Sequence, residues 1–232
     1  MKRIGMTMML VLCGFIAIHA QQSLHVVMLG DSNTFIGGDD CSKPQGWNKW
    51  FKDLMNPLSC RSYARSGATW TETPNTVYDI KEYTEVLSDN NVIYNQVSRL
   101  LADVFDAKTQ PIPDLILIMA GTNDLWFANK RPEPFPKYIR QNCEMLKEAF
   151  PKARIVLITP PPFTKVSKEV QHQAAATIEQ SGKELQVDVI RLDQTTIFQG
   201  NGNFKDGVHT TDKGAQVLGK YIYEQVEALL PQ

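Results

Sequence analysis

Positive charge is not in surplus along this chain: 24 Lys and Arg stand against 25 Asp and Glu, a formal net charge of −1 over 232 residues. Without a basic stripe to neutralise phosphates, nucleic acid is not an expected partner. Histidine and cysteine are scarce, four of each, and they form no cluster at metal-ligand spacing. Neither a metal nor another cofactor is expected. The absence of an internal repeat or low-complexity tract excludes solenoids and tail-like segments. No long apolar stretch suggests a lipid-facing lid. What remains, 43% hydrophobic and 21% charged, suits one globular domain with a sizeable core.

The N-terminus is the exception to this even composition. Lys2 and Arg3 precede an apolar stretch, 4–18, that ends Ile18-His19-Ala20 before Gln21-Gln22. A charged start, a short apolar middle and a small residue at the end describe a secretory signal. The competing reading is a membrane anchor, but the stretch is marginally short for a span, and Gly5, Thr7, Cys13 and Gly14 dilute it. Residues 1–20 are therefore expected to leave as a signal peptide, with 21–232 as the folded domain, secreted or periplasmic and without a stable membrane span. Losing two cations and no acid takes the net charge from −1 to −3. Cys41, Cys60 and Cys143 then remain. Export makes a Cys41–Cys60 disulfide possible, and closing that loop would stabilise by roughly 3 kcal/mol in the chain-entropy model. Cys143 shares a helical face with Ile139, Leu146 and Phe150, which suits a buried thiol.

Strand and helix patterns alternate through the rest. Short apolar runs at 24–29, 58–64, 114–119, 154–159 and 187–192 read as strands, the second more polar than the others. Helical spacing of apolar residues marks 47–54, 93–105, 136–150, 167–181 and 212–230. Alternation of this kind predicts an α/β fold, a parallel sheet with helices on both faces joined by right-handed crossovers. Five strands fit the flavodoxin-like order 2-1-3-4-5.

Four polar clusters fall beyond the carboxyl ends of these strands: Gly30-Asp31-Ser32-Asn33, Ser66-Gly67, Gly121-Thr122-Asn123-Asp124 and Asp206-Gly207-Val208-His209. Taken alone, the first reads as a turn; together the four hold the parts of an acyl-transfer site. Ser32 is the candidate nucleophile. Of the four histidines, His19 lies in the leader, His25 opens the first strand and His172 lies in a polar helical stretch. His209 alone stands on a carboxyl-end loop, which makes it the candidate base. Asp206, three residues earlier, can reach its other ring nitrogen and fix the tautomer. The Ser32 N–H, the Gly67 N–H and the Asn123 side-chain amide are candidate oxyanion donors; an ordinary loop glycine and a helix-capping asparagine are the plainer readings of the last two. Asp31 and Asp124 look structural, short acids that bond nearby N–H groups. The order Ser, Asp, His matches α/β-hydrolase triads, yet no Gly-x-Ser-x-Gly elbow is present.

These clusters resemble the blocks of the SGNH (GDSL-type) hydrolase superfamily over about residues 26–214. Its named residues would be Ser32, Gly67, Asn123 and His209, with Asp206 completing the triad. Asn33 stands where leucine is commonest. The resemblance implies a three-layer α/β/α sandwich and ester or thioester hydrolysis without metal.

Substrate is less sharply marked. The segment 68–91 is long for a connection and carries Trp70, Pro74, Tyr78 and Tyr83. Trp70 and Trp126 each follow a motif block, so either could wall a substrate pocket, though core packing suits both equally well. The favoured expectation is a small-molecule or glycan ester, most of all acetyl on a carbohydrate. Lysophospholipase, thioesterase, sugar O-acyltransferase and non-catalytic glycan binding are the alternatives.

Overall fold

Val26, Val27, Met28 and Leu29 expose no surface at all, as a strand must when helices cover both of its faces. In the computed structural model, which describes residues 22–72, 91–128 and 130–230, they lie in β1 (Gln22–Gly30). Around it stand β2 (Pro57–Ser62), β3 (Leu115–Met119), β4 (Arg154–Ile158) and β5 (Asp188–Ile190). The order is β2-β1-β3-β4-β5, with every pairing parallel. This is the sheet expected from the alternation of elements. The expected signal peptide and Pro74, Tyr78 and Tyr83 lie outside the described residues.

Period-two alternation sorts the strand residues between two cores. Val27, Leu29, Ile116, Ile118, Ile155 and Leu157 face one layer, which contains α3 (Ile93–Leu101), α4 (Phe135–Ala149) and α5 (Lys168–Leu185). Val26, Met28, Leu115, Leu117, Met119, Val156 and Ile158 face the other, built on α2 (Trp47–Met55) and α6 (Asp212–Leu229). A four-residue helix, α1 (Ser32–Phe35), follows β1 directly. The architecture is a three-layer α/β/α sandwich.

Two boundaries differ from the sequence pattern for local reasons. Helix α5 runs past Gly182 to Leu185 because that glycine is a packing position. A Cβ there would lie 2.2 Å from Val189 Cγ2 on β5. Strand β5 stops at Ile190 rather than 192 because the next amide pairing leaves the ladder: Leu192 N–H donates to the Thr159 hydroxyl at 2.8 Å. Cys143 is buried on α4 as expected, and burial pushes its thiol up to about 12. Among the described residues no helix is long and apolar enough to cross a membrane.

Candidate active site

Gly30, the last residue of β1, is held from two sides. Its N–H donates to Gln96 Oε1 at 2.8 Å, and its carbonyl accepts from Gln96 Nε2 at 2.9 Å and from Arg65 N–H at 3.1 Å. From this fixed point the chain turns into α1. Asp31 caps that helix by accepting from Asn33 N–H at 3.0 Å, and its own N–H donates to Met119 O on β3. Ser32 is the first helical residue, where no intrahelical carbonyl waits for its N–H. Among the described residues neither the Ser32 N–H nor the Gly67 N–H has a backbone acceptor.

The carboxyl end of the sheet brings Ser32, His209 and Asp206 together. Ser32 Oγ lies 2.9 Å from His209 Nε2, and His209 Nδ1 lies 2.7 Å from Asp206 Oδ2. Asp206 Oδ1 accepts from the N–H groups of Val208 at 2.9 Å and His209 at 2.7 Å. Burial alone would raise the Asp206 carboxyl; the two amides and the imidazole outweigh it and hold the group well below the usual carboxylate range. An ionised carboxylate only accepts, so Nδ1 must carry the proton. The neutral imidazole then presents the Nε2 lone pair to the Ser32 hydroxyl. Gly207 makes the turn possible at φ +80°. A Cβ there would lie 2.2 Å from Thr164 Oγ1, and Gly207 O accepts from Thr164 N–H at 2.8 Å.

The third cluster is bonded to the residues that follow the second. Asn123 Nδ2 donates to Ala68 O at 2.8 Å, which uses one amide hydrogen and leaves the other to be aimed elsewhere. Asp124 accepts from Trp70 N–H, Thr71 N–H and the Thr71 hydroxyl at 2.9, 3.0 and 2.6 Å. Asp31 and Asp124 thus both bond N–H groups, as expected. Burial pushes each up to about 6, against the pull of Thr122 and Asn33 on Asp31 and of Thr71 and Trp70 on Asp124.

The sequence model of the GDSL-like lipase/acylhydrolase family matches residues 28–217, from within β1 into α6. The chain belongs to the GDSL-like lipase/acylhydrolase family. It is a carboxylic ester hydrolase of the SGNH type. No curated protein sequence matches this acylhydrolase. Solved structures share its fold at low identity. An inhibitor-bound aryl esterase of M. smegmatis is 16% identical, with a TM-score of 0.61 over 90% of this chain and 100% of its own. A carbohydrate acetylesterase from Sinorhizobium meliloti is 15% identical, with a TM-score of 0.60 over 88% of this chain and 99% of its own. A family two carbohydrate esterase from Clostridium thermocellum is 14% identical, with a TM-score of 0.62 over 89% of this chain and 64% of its own.

Two expected pocket residues part company in this acylhydrolase. Trp70 does not wall a pocket: it is 1% exposed, and its Nε1–H donates to Ala120 O at 3.0 Å. The Asp124 carboxylate holds the Trp70 amide and draws the residue into the core. Trp126 is 38% exposed on the turn after Asn123, with Lys165 Nζ 5.9 Å from its ring centroid. A second His–Asp pair, His172 Nδ1 to Asp193 Oδ2 at 2.7 Å, borders a cavity of about 510 Å³. Arg191 holds the same Asp193 oxygen at 2.7 Å, and no serine or threonine hydroxyl bonds this imidazole among the described residues. The glutamines escaped the sequence reading. Gln96 clasps Gly30, and Gln171 bonds Phe163 N–H, Phe163 O and Val166 O, fixing the loop whose Thr164 holds Gly207. Both stand on the apolar stripe of their helices, three residues from Ile93 and Ala174 respectively, and that position is the signal that could have found them.

Proposed function

We propose that this acylhydrolase removes small acyl groups, acetyl above all, from a carbohydrate through an acyl-enzyme on Ser32. The observation that carries the reading is the relay Ser32–His209–Asp206, with consecutive contacts of 2.9 and 2.7 Å at the carboxyl edge of the sheet. His209 Nε2 takes the Ser32 proton as Oγ bonds to the ester carbonyl carbon. The carbonyl oxygen becomes an oxyanion received by the Ser32 N–H, the Gly67 N–H and the free hydrogen of the Asn123 amide. The imidazolium formed, stabilised by Asp206, gives its proton to the leaving alkoxide as the ester C–O bond breaks. Water then attacks the acyl-serine by the same path and regenerates the hydroxyl.

The carbohydrate part rests on two supports. Two proteins of similar fold are carbohydrate esterases, and Trp126 offers an exposed aromatic face three residues from Asn123, suited to stacking on a sugar ring. We also read residues 1–20 as an export signal, so the enzyme works outside the cytoplasm. The test is a panel of p-nitrophenyl esters of increasing chain length and of acetylated glycans, assayed on enzyme from the periplasm or medium. Expected are a mature N-terminus at Gln21, the highest kcat/KM on acetyl esters, and free acetate from glycans. Preference for long acyl chains or thioesters favours the lysophospholipase and thioesterase readings, and new sugar esters in place of acetate favour O-acyl transfer.

A further inference from the structure

Cys41 and Cys60 stand on two segments, the turn after α1 and the end of β2, that one backbone bond joins. Ser62 N–H, at the end of β2, donates to Asp39 O at 2.8 Å. Two residues onward from Asp39 and two residues back from Ser62 stand Cys41 and Cys60. A hydrogen bond with the Cys41 thiol, ahead of burial, raises the Cys60 thiol. Cys41 is buried, Cys60 packs against the same core, and both are thiols in the structure.

We propose that Cys41 and Cys60 are a disulfide site, and that the bridge pins the loop after α1 to β2. The pinned loop bears on the candidate oxyanion donors. Asp39 holds the Arg65 guanidinium through two contacts, at 2.8 and 3.2 Å. Arg65 N–H bonds Gly30 O, and Arg65 O accepts from Ala68 N–H at 3.2 Å. Gly67 lies inside that last turn. A tether at residue 41 therefore reaches both Ser32 and Gly67 through one chain of bonds.

Closing the bridge requires a disulfide oxidant such as oxidised glutathione. One protein thiolate attacks it and releases one reduced thiol. The second protein thiolate then displaces the other, leaving one new S–S bond and two reduced glutathiones. Burial disfavours the thiolates in the folded chain, so the bridge closes during folding or on opening of the loop.

The experiment is refolding of the protein in a mixed glutathione buffer, alkylation under denaturing conditions, and peptide mass mapping without reductant. Expected is one cross-linked pair containing Cys41 and Cys60, with Cys143 alkylated, and no such pair from Cys41→Ser. Hydrogen exchange supplies a second readout: reduction should speed exchange of the Ser62 amide by about tenfold or more. Separate alkylation of Cys41 and Cys60 after oxidation overturns the bridge, and unchanged exchange at Ser62 overturns the tether.

Discussion

His209 stands between an oxygen that keeps its charge and one that must give up a proton. Asp206 remains ionised far into acid because Val208 N–H, His209 N–H and the ring all bond it. Its carboxylate therefore dictates the tautomer. Asp206→Asn lets Nδ1 accept a hydrogen bond from the amide N–H, which puts the ring proton on Nε2 and removes the base that faces Ser32. Expected is a fall in kcat of roughly 10³–10⁴ with KM much less affected, measured on p-nitrophenyl acetate. The buried Asp31 and Asp124 act on stability with the opposite sign to Asp206. Each has a folded value of about 6 against an ordinary 3.8. Between those values the folded chain keeps a proton that the unfolded chain has released. Stability therefore falls as pH rises from about 4 to about 6, by up to about 3 kcal/mol per group. Asp206, with its lowered value, adds stability above the ordinary aspartate range and loses it only as pH falls below that range, outside this window. Urea melts at pH 4.5 and 6.5 should show the loss, and Asp31→Asn should remove about half of it.

Helix α3 shows what periodicity reveals and what it conceals. Ile93, Val97, Leu100 and Val104 announce a buried face, and the helix lies where that pattern places it. Gln96 shares the face, but a polar side chain on a helix reads as surface until its partners are known. Those partners are the N–H and C=O of Gly30, 66 residues away in sequence, and no local pattern encodes that pairing. Gln96→Leu keeps the volume and strands the buried Gly30 N–H, while Arg65 still serves the carbonyl. It should cost about 1–3 kcal/mol in urea unfolding. The site should also lose order, because Ser32 begins two residues after the clasp. Gln171 was concealed in the same way on α5. Trp70 was left open between pocket wall and core for a related reason: its position depends on an Asp124 carboxylate 54 residues away, and nothing in the tryptophan's own neighbours tells the two apart.

At the scale of the whole molecule, the sheet and the place of the site were legible together. Five short apolar runs alternating with amphipathic helices leave few topologies open. In the order β2-β1-β3-β4-β5, the three clusters after β1, β2 and β3 must meet beside the switch point. That geometry brings Ser32 and His209 within 2.9 Å although 177 residues separate them. The route between them was not legible, because it runs through loop contacts such as Thr164 to Gly207 that carry no periodic signal. The role of the long segment after Trp70 falls outside the described residues.

The most direct measurement is labelling with a fluorophosphonate, which bonds to a serine oxygen only where a base has activated it, followed by peptide mapping and assay. Expected is one phosphonate per chain, carried on Ser32, with hydrolysis of p-nitrophenyl acetate lost in proportion, and with Ser32→Ala unlabelled and roughly 10⁴-fold slower. Label on another residue, or a Ser32→Ala enzyme that turns over at the wild-type rate, would contradict the assignment of Ser32 as the nucleophile.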